Sequence, residues 1–248
     1  MENPADYGIP VASGFGFGPN EYGIVLARER RAMACGLDLG SVNDATALCI
    51  MESVESPEVD AQGNPIFGTD YIQKLTPPRY EIRGLRRLPT GMSYPQIIGQ
   101  VGLALAHPEI RGAALIVDRT GCGRPTFDLF VAAGFQNLVG VTITGSVEGE
   151  KRDPDGSGFH VGKLQLVSTL QTALSVGSLK MPPATSMPEV KVFLDELRNF
   201  AVTISDAGHA SFNAAGSGHD DLVTAAALAI FHLFPRTGGA WSESSIDF

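Results

Sequence analysis

Residues 112–124, GAALIVDRTGCGR, carry the strongest constraint on the fold: an unbroken apolar run that stops at Asp118 and gives way to a glycine-rich turn. A run without polar alternation reads as a strand buried in an α/β sheet rather than one with a wet face. The segments around it have the composition such a sheet requires. RAMACGLDLG (31–40) and DATALCIMES (44–53) are two apolar runs parted by Gly40-Ser41-Val42-Asn43, a hairpin signal with a slightly long loop. Residues 54–78, with scattered Pro, Gly and acids, read as a polar connection or an extension of that hairpin. RYEIRGLRRLP (79–89) resumes a strand, with Arg83, Arg86 and Arg87 as a small basic cluster, and NLVGVTITG gives another.

Helical signals dominate the second half. Ser93 and Gln96 have capping-box spacing ahead of Ile97, Val101 and Leu105. PTFDLFVAAG is a short helix with Pro125 near its start and Gly134 as C-cap. Residues 161–177 are helical, with Leu166, Leu170 and Leu174 on one face, and EVKVFLDELRNFAVTI (189–204) is a helix running into a strand. The last helix begins in GHDDLVTAAALAI (218–230), with Val223, Ala227, Ile230 and Phe234 on a buried side. GSVEGEKRDPDGSGF (145–159), glycine-rich and charged, is expected to be a surface loop. There is no internal repeat. The expected division is an irregular lead-in over 1–30, one α/β domain around a mixed sheet over 31–236, and a tail over 237–248.

Composition narrows the function. The hydrophobic fraction of 44% is that of an ordinary globular chain, and a net charge of −9 supplies no global field for nucleic acid, so any basic groove must be local. Cys35, Cys49 and Cys122 are too few and too scattered for a disulfide framework or a structural zinc site. Cys35 and Cys49, in apolar runs, read as small buried hydrophobes. The first residues lack a basic start followed by an apolar core, so no signal peptide is expected, and no apolar stretch approaches the ~20 residues of a membrane span. A cytoplasmic protein with no membrane partner is the expectation.

Acids interrupt this pattern at four points. Asp38 lies in the first strand, Asp118 ends a buried strand, and Asp220 and Asp221 open the last helix. One acid at a helix start is explained by the dipole, but a carboxylate in an apolar strand needs a partner, because burying unpaired charge is costly. A divalent cation is an effective one. Mg²⁺ takes oxygen ligands and keeps several waters, so two or three carboxylates suffice. Two such ions about 3.5–4 Å apart can activate a water and stabilise the leaving oxygen in phosphodiester cleavage. Neighbouring carboxylates also raise each other's pKa unless a cation neutralises them.

GLDLGSVNDATAL, LIVDRTGCGRPTFDLF, HVGKLQLVSTLQTALSVGSLKMP, ELRNF and GHDDLVTAAALA, in that order, resemble the nuclease domain of phage large terminase subunits, over about residues 33–232. The resemblance implies an α/β, ribonuclease H-like fold, with a central mixed sheet of five or more strands flanked by helices. It implies an endodeoxyribonuclease that cuts concatemeric double-stranded viral DNA during genome packaging, with two Mg²⁺ or Mn²⁺ ions. Its metal-binding, catalytic acids would fall on Asp38, Asp118 and Asp221. Asp220 would be a second ligand, a group behind the ligands or a helix cap. Partners implied are the terminase ATPase domain, the portal and the small terminase subunit. The G-x-x-x-x-G-K-[ST] loop of that ATPase has no match, and Lys163 in HVGKLQL lacks the glycine spacing. The chain is therefore expected to be an isolated or separately encoded nuclease domain that neither hydrolyses ATP nor translocates DNA by itself.

Secondary candidates each have a plainer reading. Lys163, opening a helix, is expected to contact DNA phosphate. Arg119 and Arg124 flank the Asp118 turn and could clamp phosphate or simply solvate the surface. Asp44 could join the acids or bond a turn backbone. His219 could meet a phosphate or metal, or stand half-exposed. Glu196 could assist the acids or serve as a solvated helix acid or salt-bridge partner. Cys122 is read as loop packing, since Mg²⁺ disfavours sulfur. Three rivals remain: a Holliday-junction resolvase-like nuclease, a sugar-kinase/actin-like ATPase suggested by LDLGSVNDAT, and a non-cleaving, metal-stabilised docking module.

Overall fold

The computed structural model describes residues 25–40, 44–120, 123–145, 149–204, 210–214 and 220–235, with backbone alone over 199–204 and 210–214. The apolar run forms β4 (Ala114–Asp118), and strand alternation divides its side chains between two cores. Ala114 and Ile116 enter one core, Leu115 and Val117 the other. β1 (Arg30–Asp38) divides the same way, Ala34 to the first face, Cys35 and Leu37 to the second. Both faces are covered, as the unbroken hydrophobic pattern requires.

The sheet is completed by β2 (Ala47–Glu55), β3 (Arg79–Arg87), β5 (Leu138–Thr144), β6 (Glu150–Arg152), β7 (Gly158–Gly162) and β8 (Leu179–Lys180). Its eight strands run in the order β6-β7-β5-β4-β1-β2-β3-β8. β1 pairs parallel with β4, with Ala34 opposite Ala114 and Leu37 opposite Val117; β4–β5, β5–β7 and β3–β8 are also parallel, and β6–β7 is antiparallel. Thr46, just ahead of β2, accepts through its hydroxyl from Gly40 N and through its carbonyl from Leu88 N. The last residues of β1 and β3 therefore meet at the edge where β2 begins, and β2 runs against both.

α1 (Tyr94–Leu105) and α2 (Gly123–Ala132) cover one face, where Ile97, Val101, Phe127 and Phe130 pack on Leu37, Leu115 and Val117. Gln96 accepts from the Ser93 amide at 2.8 Å, one half of the expected capping box, and Gly134 follows α2 at φ +81°. α3 (Lys163–Ser175), α4 (Glu189–Asn199) and α5 (Asp221–Leu233) cover the other face. β9 (Phe200–Ile204) and β10 (Ala210–Ala214) form a separate antiparallel pair. Cys35 and Cys49 are free and buried. No described helix is long and apolar enough to cross a membrane.

By compactness, residues 25–31, 54–78 and 235 form one unit and 32–53 with 79–234 another. In the first, antiparallel bridges pair Pro57 with Leu75, Val59 with Pro65 and Phe67 with Gln73, and Asp60 accepts from the Gln62 and Asn64 amides in a turn. Residues 1–24 of the expected 1–30 lead-in, and residues 236–248 with the expected tail over 237–248, lie outside the described residues.

Two expectations are corrected. Residues 145–159 are not simply a surface loop: the stretch carries β6 and the start of β7, which extend the sheet beyond β5. Gly158 makes this possible, since a Cβ there would stand 1.8 Å from the Gly140 carbonyl oxygen. A close backbone approach and a flexible loop both call for glycine, and in the sequence they look alike. The last helix has no single buried side, because every residue from Leu222 to Phe231 except Thr224 is buried. Phe234 lies past its end and stacks on Tyr80 at 6.1 Å.

α5 owes that burial to Gly36 on β1, where a Cβ would stand 2.0 Å from Ala225 O and 2.8 Å from Ala229 N. Alanines on the helix and a glycine on the strand let two backbones meet. Gly36→Ala should destabilise the fold by about 1–3 kcal/mol, the usual range for overpacking, or prevent folding. Urea unfolding with an unchanged midpoint would refute this seating of α5.

Candidate metal centre

Alternation along β1 and β4 decides where the strand acids point. Asp38 follows Ala34 and Gly36 by twos, and Asp118 follows Ala114 and Ile116, so both face the side covered by α5. They lie at the carboxyl ends of adjacent parallel strands, where open α/β sheets bind ligands. Asp220 and Asp221 arrive there at the start of α5. Lys163 arrives at the start of α3, directly after β7. Arg87 comes from the last residue of β3, two on from the core residue Leu85.

The acids act on one another. Burial, then the charges of Asp118, Asp221 and Asp220, push the Asp38 carboxyl well above the usual carboxylate range, and Lys163 opposes this. Burial also raises Asp118, against two hydrogen bonds from Thr120, whose backbone N–H and hydroxyl both donate to Oδ1. Lys163 Nζ donates to Asp220 Oδ2 at 3.1 Å. Arg87 Nη2 stands 3.4 Å from Asp221 Oδ2.

Among the described residues no three acidic, histidine or cysteine side chains are already gathered as a ready-made ligand set. Asp118, Asp220 and Asp221 are instead each held by a protein donor or cation. The donor set is nevertheless that of a hard divalent ion: carboxylate oxygens, crowded enough to raise Asp38, with Lys163 as a compensating cation. Asp38, Asp118, Asp221 and Asp220 could hold such an ion.

Glu196 has, besides a salt bridge to Arg87, a capping role the sequence did not suggest. Asp220 occupies the N-cap of α5 but makes no side-chain bond to the helix. The cap comes from α4: Glu196 Oε2 accepts from Leu222 N at 3.0 Å and Val223 N at 3.1 Å, and Oε1 accepts from Arg87 Nη2. These are the amides an N-cap side chain ordinarily satisfies. Burial raises the Glu196 carboxyl to about 7, with the two amides and Arg87 opposing and Asp221 adding to the rise. Of the plainer readings of Glu196, the salt-bridge partner holds, through Arg87, and the solvated helix acid is corrected, since the residue is buried.

Arg119 is corrected in the same sense. One residue beyond Asp118, it turns to the opposite face, where it is 8% exposed, paired with Asp153, bonded to Ser157 and 5.1 Å over the Phe127 ring. A guanidinium committed in this way is no surface phosphate clamp. Arg124 is exposed and pairs with Asp155 at 2.7 Å. Together with Asp153, Asp155 and His160 these arginines line an open cavity of about 540 Å³, to which Asp38, Asp118, Asp220 and Asp221 do not contribute. Asp44 is exposed in the turn before β2, with its carbonyl against Gly40. His219 and Cys122 lie outside the described residues.

No protein-family model matches the chain, and no curated protein matches it. Among solved structures it is similar to the large terminase nuclease from the thermophilic phage G20c, at TM-score 0.56 and 21% identity over 85% of this chain and 88% of that one. The same nuclease with bound cobalt gives TM-score 0.52 at 21% identity over 84% and 86%, and with bound magnesium 0.51 at 23% over 84% and 86%. The likeness is one of fold. The chain has the ribonuclease H-like architecture of a large-terminase nuclease, with an eight-stranded mixed sheet between two helical layers.

The raised carboxyls give a signed pH dependence. Asp38, Asp118 and Glu196 hold protons in the folded state at pH values where the unfolded chain has released them. Their contribution to stability is complete below the ordinary carboxylate range and declines as pH rises, for Glu196 between its ordinary 4.5 and about 7. In the presence of a chelator, the thermal midpoint should fall from mildly acidic to neutral pH. A midpoint that rises across that interval would contradict the crowding of acids described above.

Proposed function

We propose that the protein is a divalent-metal-dependent endonuclease that cuts double-stranded viral DNA during genome packaging. The observation that carries this reading is the convergence of Asp38, Asp118 and the Asp220–Asp221 doublet at the carboxyl ends of β1 and β4. The fold shared with a phage terminase nuclease, itself solved with magnesium and with cobalt, supports the substrate and the cofactor class.

In this reading Asp38, Asp118 and Asp221 hold two Mg²⁺ or Mn²⁺ ions, with Asp220 beside them. When bound, the ions supply activation of a water nucleophile and stabilisation of charge on the leaving 3′-oxygen. The chain's own residues do the rest. Thr120 fixes the Asp118 Oδ1 oxygen through its backbone N–H and its hydroxyl. Glu196 and the buried α5 hold Asp221 in place. Lys163, bonded to Asp220 at the mouth of the acid cluster, would take a phosphate oxygen. Duplex is gripped through its backbone with little base readout, so binding weakens steeply with salt. The terminase ATPase domain, portal and small subunit are the partners this reading implies.

Purified protein should cleave plasmid DNA with Mn²⁺ or Mg²⁺, and Asp38→Asn and Asp118→Asn should each reduce cleavage to background. Cleavage by both variants in a clean preparation would sink the assignment. Preference for four-way junctions would make it a resolvase, and DNA binding without cleavage under any divalent ion would make it a docking module.

A further inference from the structure

The charges at the start of α5 are divided in a way that assigning the ligands does not explain. A single guanidinium nitrogen, Arg87 Nη2, is shared by two carboxylates: it donates to Glu196 Oε1 and stands 3.4 Å from Asp221 Oδ2. Glu196 spends its other oxygen on the Leu222 and Val223 amides. The Glu196 and Asp221 side chains are only 5% and 12% exposed, so solvent screens little of the interaction. A fixed cation this close to Asp221 opposes any second cation brought to the same carboxylate. A buried anion bonded to that fixed cation cancels the opposition.

We propose that Arg87 and Glu196 form a charge-setting pair for the metal-binding acids. Glu196 takes over the α5 cap from Asp220 and balances the charge of Arg87 beside Asp221, so that the guanidinium does not stand uncompensated against a cation at the aspartates. The proposal rests on the metal-dependent reading above. Neither residue is a ligand; both are positioning residues. The arrangement accounts for the doublet: an acid at the N-cap that made the usual helix bond would be spent there, and here the cap is furnished from α4.

The test is Mn²⁺ binding to the whole chain by calorimetry at mildly alkaline pH, without DNA. Glu196→Gln keeps an oxygen for the two helix amides but leaves Arg87 facing Asp221 alone, and should weaken Mn²⁺ binding about tenfold, the lower end of what supporting residues contribute. Arg87→Gln should tighten it severalfold, and the double variant should return toward wild type. Opposite signs with mutual cancellation are what a merely structural pair would not give. Should Glu196→Gln fail to fold, Arg87→Gln decides alone, and unchanged or weaker binding overturns the proposal. Normal wild-type binding with unshifted or uniformly weakened variants overturns the charge-setting pair and leaves the metal reading intact. A wild type that binds no Mn²⁺ overturns both.

Discussion

The seating of α5 on β1 is the contact from which the rest of the site follows. Gly36 removes the side chain that would separate strand from helix, and Ala225 and Ala229 bring the helix backbone down to meet it. That approach carries the first turn of α5 to the end of β1, where Asp38 points to the same side. A larger residue at either surface would lift the helix and, with it, Asp220 and Asp221. Packing and chemistry are thus one constraint here: the alanine-rich run that looks like filler determines how near the acids come.

Concentrating negative charge at one edge of a sheet works against folding, because the carboxylates repel and lose water together. The fold answers by distributing partners. Thr120 supports Asp118, Lys163 supports Asp220, and Arg87 is divided between Glu196 and Asp221. Two of these supports, Arg87 at the end of β3 and Lys163 at the start of α3, come from places where backbone geometry already delivers them to the same edge. A cluster of acids in a protein of net charge −9 is therefore a local arrangement, balanced side chain by side chain.

The strand acids were legible because carboxylates are conspicuous in apolar runs, and strand alternation alone predicts that Asp38 and Asp118 share a face. The order of strands and helices along most of the chain was legible for the same reason. Arg87 and Glu196 were not, since their pairing spans 109 positions and each has an ordinary surface-salt-bridge context in its own segment. Arg119 misled because adjacency to Asp118 suggests a shared role. In a strand, the next residue points the other way. The β6–β7 hairpin was obscured by glycine, whose service in close packing is indistinguishable, in sequence, from its service in loops.

The assembly order of the cluster follows from its topology. Asp38 and Asp118 belong to strands that can pair once β4 exists, whereas Asp221 and the helix that seats it are the last of these to be synthesised. Until α5 settles over Gly36, Glu196 has no helix to cap and Arg87 no second carboxylate. A growing or partly folded chain consequently carries two strand acids without the third corner. The third corner of the acid cluster therefore depends on the same glycine–alanine contact that seats α5.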